Sequence, residues 1–196
     1  MKVHPVAHIS SLMGTTLLGH PSETFVEHLL IDSRKIVFPP TTLFFAIKTE
    51  QGDGHQYIDE LYREGVRNFV VSTVPDLASF PEARFLLTDN VVASLQMLAI
   101  AHRKQFEFPV IGITGSNGKT IVKEWLNFLL SPDFKIVRSP KSYNSQVGVP
   151  LSIFGINENH NLGIFEAGIS QKGEMEKLQE IIQPNIGIFT HLGNAH

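Results

Sequence analysis

The residues with the clearest chemical use are glycines, hydroxyls and one lysine in the run Thr114-Gly115-Ser116-Asn117-Gly118-Lys119-Thr120. The run follows the apolar stretch Val110-Ile111-Gly112-Ile113 and leads into residues at helical spacing. Gly115 and Gly118 permit positive φ and close backbone approach, so successive N–H groups can point at one anion. The partial positive charge of a helix N-terminus acts in the same direction. Lys119 can reach β and γ phosphates as a point charge, and the Thr120 hydroxyl can ligate the Mg2+ that bridges them. The pattern predicts an ATP-binding loop. Counting back from Gly118 puts Ile113 where a Walker A loop has its first glycine, and Gly112 comes one residue early. A Gly-Lys-Thr turn that merely starts a helix is the plainer reading of the same letters.

The bulk properties bound what surrounds this loop. The 196 residues are 42% hydrophobic, enough for one large core or two small ones. A net charge of -3 with 18% charged residues lacks the basic character that draws a chain to nucleic acid or an anionic membrane, so phosphate binding must be local. The absence of cysteine excludes disulfides, thiolate zinc sites and cysteine nucleophiles, and leaves the nine histidines as soft ligands. No apolar run approaches the ~18 residues that span a bilayer, and the first residues lack a signal-peptide core, which predicts a cytoplasmic chain with no membrane insertion.

Two blocks of alternating strands and helices emerge. In residues 1–88, Leu43 to Ile47, Phe69 to Val71 and Phe85 to Leu87 read as strands, with Tyr57, Ile58, Leu61 and Tyr62 at helical spacing between the first two. A small α/β domain is expected there. Asp89 to Phe106 carries Val92, Leu95, Leu98, Ala99 and His102 at helical spacing, with Asp89 or Asn90 as cap, and opens a second domain over 89–196. Beyond the phosphate loop, Ile121, Val122, Trp125, Phe128 and Leu129 form a helical stripe that predicts a core position for Trp125. A strand at Lys135 to Val137 follows, then a loop rich in Ser, Asn and Gly. The strand Leu162 to Phe165, a helix near Gly173 to Ile182 and the strand Ile186 to Phe189 complete the pattern. Repeated strand-helix-strand units imply an α/β fold with a parallel sheet, whose ligands bind beyond the strand carboxyl ends. The last residues follow a strand with no closing helix, so the second domain is expected to be cut short at His196.

Gly112 to Thr120, with Lys123 and Glu124 one turn on, resembles the ATP loop of the Mur ligases, the amide-forming enzymes of peptidoglycan synthesis. Asn144-Ser145-Gln146-Val147-Gly148-Val149-Pro150 resembles that family's Asn-x-x-x-Gly-x-Pro element, Glu166-Ala167-Gly168 its Glu-x-Gly, and Asn194-Ala195-His196 its terminal histidine. In the first block, Asp32-Ser33-Arg34, Leu43 to Ala46, and Asp53-Gly54-His55 with Tyr57 and Ile58 resemble a uridine-nucleotide domain. It is that of the member joining D-Ala-D-Ala to UDP-MurNAc-tripeptide.

The resemblance implies a three-domain enzyme, of which this chain holds the UDP-sugar-peptide domain and most of the P-loop ATPase domain. It implies activation of the tripeptide carboxylate by ATP to an acyl phosphate, which the amine of D-Ala-D-Ala attacks. Lys119, Glu166 and His196 would be catalytic; Thr120 would hold one magnesium ion, and Glu166 and His196 would converge on a second from adjacent strand ends. Ser33, Arg34, Asp53, Gly54, His55 and Asn144 would contact substrate. An acceptor lysine and a C-terminal domain are expected downstream of His196.

Each residue also has a plainer use. Glu166 could cap the following helix, His196 could be a frayed end, and Asn144 could shape a turn. Ser33 and Arg34 could form a surface turn, and Asp53-Gly54-His55 a turn and cap before a helix at 56–64. Two positions depart from the family pattern: Pro39-Pro40-Thr41-Thr42 replaces Pro-Gly before Leu-Phe, and His191 stands where many relatives carry asparagine near the adenine. A neighbouring Mur ligase, a folylpolyglutamate-synthase-like ligase, a nucleotide-holding module without catalysis and a kinase using the same loop all stay open.

Overall fold

The computed structural model describes residues 4–50, 52–169, 171–191 and 193. The chain divides into two compact units, Met1–Leu98 and Ala99–His196. No helix among the described residues is long and apolar enough to cross a membrane.

The first unit contains β1 (His4–Pro5), α1 (Val6–Met13), β2 (Thr16–Gly19), β3 (Phe25–Val26), β4 (His28–Leu30), β5 (Thr42–Phe45), β6 (Lys48–Thr49), β7 (Gly52–Asp53), α2 (Ile58–Arg63), β8 (Asn68–Val71) and β9 (Arg84–Leu87). Its main sheet has the order β2-β9-β8-β5-β4, with β2 antiparallel to β9 and the other pairs parallel. The three strands expected from the sequence are its centre. Every residue of β5 and β8 is buried, as continuous apolar runs require when a parallel sheet is covered on both faces. Phe69 stacks on Phe85 with ring centroids 5.5 Å apart and meets the edge of Phe44 at 6.4 Å. β2 and β4 escaped the sequence reading because these short flanking strands lack a strong apolar run. The helix expected at 56–64 is a 3-10 turn at Gly54–Tyr57 that continues into α2.

α3 (Val91–Arg103) runs across the boundary between the units. Of its two candidate caps, Asn90 is the one used, its Oδ1 accepting from Ala93 N at 3.0 Å. The second unit continues with β10 (Val110–Thr114), α4 (Lys119–Leu130), β11 (Ile136–Arg138), α5 (Gly148–Ile153), β12 (Leu162–Glu166), α6 (Glu174–Ile182) and β13 (Ile186–Phe189). The strands form an entirely parallel sheet in the order β11-β12-β10-β13, matching the expected fold class.

Successive side chains of a strand face opposite ways. Val110 and Phe165 enter a core with Val137, Val149, Ile153, Leu178, Ile181 and Ile182. Ile111, Ile113, Leu162 and Ile164 enter another, with Val122, Leu126 and Leu130 of α4 packed on it.

Three expectations change here. The stretch read as a loop rich in Ser, Asn and Gly includes α5; Pro150 lies in its first turn, where a missing N–H costs nothing. Trp125 is not core: it is 68% exposed, with Ile121, Phe128 and Leu129 exposed beside it. The apolar residues of α4 form two adjacent rows, Ile121-Trp125-Phe128-Leu129 and Val122-Leu126-Leu130, so spacing alone did not decide which faces the sheet, and the second row turned inward. Finally, β12 and β13 flank β10 on opposite sides. They are not neighbours, as a convergence of their ends on one ion had assumed.

Candidate nucleotide site

In-register pairing brings the carboxyl ends of three strands together: Ile113 lies opposite Glu166 on one side and Ile188 on the other. The loop Gly115 to Gly118 leaves β10 at this end, where parallel sheets bind ligands.

Gly118 has φ 88 and forms the N-cap of α4, a conformation with little cost only for glycine. Gly115 has φ 133, and a Cβ there would lie 2.2 Å from Thr190 Oγ1 and 3.0 Å from His191 O. The residues after β13 therefore press directly on the loop. Ser116 N donates to His191 O at 2.6 Å, Thr190 N to Thr114 O at 2.9 Å, and Thr190 Oγ1 to Asn117 O at 2.6 Å. The first helical bond runs from Val122 N to Gly118 O at 3.0 Å, so the N–H groups of the preceding turn lie ahead of the ladder and face the loop mouth. Lys119 Nζ donates to Gly115 O at 2.6 Å, folding its cation across the loop.

Glu166, the last residue of β12, is completely buried. Its Oε2 accepts from Thr120 Oγ1 at 3.1 Å. Its Oε1 lies 2.9 Å from Lys123 Nζ, an ammonium equally buried, without the alignment of a hydrogen bond, so that contact is Coulombic. Lys123 directs its N–H groups to Ser139 O at 2.9 Å and to Lys141 O. The helix-cap reading of Glu166 therefore fails, since the next helix begins after Gly173 with no side-chain cap.

A carboxylate and a hydroxyl side by side at a phosphate-loop helix suit Mg2+, which takes one or two protein oxygens and fills its octahedron with phosphate and water. Glu166 Oε2 and Thr120 Oγ1 supply that oxygen pair, so the residues present fit such an ion. No cluster of three or more histidine, aspartate or glutamate ligands occurs among the described residues.

His196 lies outside the described residues. Asn144 lies beside the exit of β12: its carbonyl accepts from Gly168 N at 2.8 Å, and a Cβ on Gly168 would lie 2.9 Å from Asn144 Oδ1.

The remaining candidates belong to the first unit. Asp32 caps the 3-10 turn Ser33–Lys35 and grips Arg34 Nε at 2.8 Å; that hydrogen bond holds its carboxyl at about 2. Arg34 itself is exposed. Asp53 Oδ1 accepts from His55 N at 3.0 Å and pairs with His55 Nδ1 at 2.6 Å, which lowers its pKa through the backbone hydrogen bond first and the imidazole second. His55 Nε2 accepts from Ser72 N at 3.0 Å, tying this turn to the end of β8. A Cβ on Gly54 would lie 2.8 Å from Ile47 N. The turn-and-cap use of Asp53, Gly54 and His55 is thus realised in the fold. Sequence reasoning named Lys123 only within the resemblance to the ATP loop, without a role, and it missed Thr190. A lysine four residues after Lys119, on the same helix face, was the available signal for the first. Thr190 had none.

Residues 113–196 match the family model of the Mur ligase middle domain. The chain is 30% identical over 194 residues to the UDP-N-acetylmuramoyl-tripeptide--D-alanyl-D-alanine ligase of Bacillus subtilis, covering 97% of this chain and 41% of that protein. It is 37% identical over 182 residues to the ligase of that name from Borreliella burgdorferi, with coverages of 89% and 39%. The solved structure of the MurF ligase from Thermotoga maritima in complex with ADP superposes with a TM-score of 0.77 at 27% identity, over 87% of this chain and 39% of that one. The chain thus spans about two fifths of the length of the curated relatives it matches.

Proposed function

The chain belongs to the Mur ligase family, and on that premise we propose that it is the substrate- and nucleotide-binding part of an ATP-dependent, ADP-forming ligase joining D-Ala-D-Ala to UDP-MurNAc-tripeptide. Residues 1–88 hold the UDP-sugar peptide, with Ser33, Arg34, Asp53, Gly54 and His55 as its contacts, and residues 89–196 hold ATP. The observation that carries this reading is the contact of Thr120 Oγ1 with Glu166 Oε2 at 3.1 Å, at the head of the phosphate-loop helix. A bare helix start needs no buried carboxylate there.

Gly115 and Gly118 let the backbone approach the phosphates, and the first N–H groups of α4 meet their charge. Lys119 exchanges Gly115 O for phosphate oxygens when nucleotide enters, placing a cation where negative charge gathers. Thr120, Glu166 and, by family resemblance, His196 would hold Mg2+, which lowers the repulsion between the triphosphate and the substrate carboxylate. That carboxylate attacks the γ phosphorus and the bond to ADP breaks. The amine of D-Ala-D-Ala then attacks the acyl carbon, losing its proton and displacing phosphate. Asn144 borders this end of the sheet and contacts the substrate.

Calorimetry with ADP, ATP and a UDP-sugar on residues 1–196 tests the reading. Binding of both nucleotide classes is expected, and Lys119→Met should weaken ADP by roughly tenfold or more. Failure of the wild-type chain to bind ADP would reject the nucleotide site, whereas ADP binding without UDP-sugar binding would favour a kinase using the same loop. Sustained phosphate release by residues 1–196 with both substrates would defeat the restriction to binding.

A further inference from the structure

We propose that Lys123 makes the nucleotide site select Mg2+ over Ca2+, by occupying one of the two carboxylate oxygens of Glu166; this rests on the nucleotide reading above. Lys123 is a fully buried lysine on a helix whose neighbouring inward residues are Val122 and Leu126. Its ammonium is fixed from several directions. It donates to Ser139 O at 2.9 Å and to Lys141 O, and lies 2.9 Å from Glu166 Oε1 and 3.3 Å from Glu124 Oε1. Glu124 is itself held by Arg138 at 2.6 Å.

The loop after β11 reinforces this arrangement. Ser139 Oγ accepts from Glu166 N at 3.1 Å, so the segment that orients Lys123 also pins the backbone of its partner. Lys141 has φ 51, a left-handed conformation that a lysine adopts only under surrounding constraint, and its carbonyl points at the ammonium. Glu166 is thereby divided: Oε1 faces a fixed cation, and Oε2 alone faces Thr120 at the phosphate-loop helix.

A carboxylate offering one oxygen is a one-point ligand. Mg2+ accepts this readily, because its small octahedron is completed by phosphate and water. Ca2+ gathers roughly six to eight oxygens and favours carboxylates that give both. Withholding Oε1 therefore disfavours Ca2+ more than Mg2+. Lys123 touches neither nucleotide nor reacting atoms in this scheme, and acts as a positioning residue that sets specificity.

The test is ADP affinity of the 196-residue chain, measured by calorimetry in EDTA, in Mg2+ and in Ca2+, for wild type and Lys123→Met. In the wild type Mg2+ should tighten ADP binding more than Ca2+ does. In Lys123→Met the ratio of the two enhancements should fall about fivefold or more, mainly through a gain in Ca2+, with the affinity in EDTA unchanged. Circular dichroism checks the fold. Should the Met variant not fold, Lys123→Gln, which keeps an N–H donor, is read in the same way. A purely structural role would lower the melting temperature and leave the ratio alone. An unchanged ratio in a folded variant overturns the inference, as does a wild type that treats the two ions alike. A wild type that binds no ADP under any condition rejects the nucleotide site, and this inference falls with it.

Discussion

Replacing Gly115 by alanine perturbs the phosphate loop at its tightest point. Two effects add. At φ 133 an L side chain is strained, at a cost of about 1–3 kcal/mol. The new Cβ would also stand 2.2 Å from Thr190 Oγ1, far inside contact distance, so the threonine must swing away. Its single O–H, shared between Asn117 O at 2.6 Å and Thr114 O at 3.2 Å, then loses both acceptors, at about 0.5–1.5 kcal/mol in all. The sum is about 1.5–4.5 kcal/mol. In a Thr190→Ala background the hydroxyl and its bonds are already gone. Gly115→Ala should there cost about 1–3 kcal/mol from the backbone and the remaining crowding by His191 O. Urea unfolding of the four proteins in the double-mutant cycle should therefore show less-than-additive destabilisation. Additive costs, or a Gly115→Ala variant within about 0.5 kcal/mol of wild type, would refute the claim that the exit of β13 presses on this loop.

Lys123→Met strands the buried carboxylate of Glu166 and should destabilise the second unit by about 3–5 kcal/mol, whereas Lys123→Met with Glu166→Gln should recover most of that loss; denaturant titration of the single and double variants compares them, and equal losses would contradict a direct pair. Trp125→Ala should change stability by less than about 0.5 kcal/mol, and the fluorescence of the wild-type tryptophan should be readily quenched by iodide; protection from quencher would contradict its exposure. Asp32 should titrate near 2 by NMR, because Arg34 holds its ionised form. Its folded pKa lies below the unfolded one, so the stability it contributes is present above the ordinary carboxylate range near pH 3.9 and lost as pH falls toward 2. Asp32→Asn should flatten that acid limb.

What was legible in the sequence is what neighbouring residues dictate to one another. A buried strand, a turn with glycines at positive φ and a helix start lie within Val110 to Lys119, so the phosphate loop could be read without knowing the rest of the molecule. The same holds for β5, β8 and β9, whose continuous apolar runs mark strands buried on both faces. The Asp32 and Asp53 caps are local as well, each closing on an N–H two residues away.

Tertiary structure decided everything that depends on partners distant in the chain. Thr120 and Glu166 are 46 positions apart, and they meet because sheet register sets Ile113 opposite Glu166. Thr190 reaches the loop through the pairing of β10 with β13, and the location of β10 between β12 and β13 was not written in strand order. The phase of α4 was ambiguous because its apolar residues form two adjacent rows, either of which could face the sheet. Packing of Val122, Leu126 and Leu130 on the sheet resolved it, left Trp125 outside, and carried Lys123 to the buried carboxylate of Glu166. Local dihedral preference and hydrophobic period are short-range properties of a chain. The partner of a buried charge is not, since it is chosen only when separate strands settle into register.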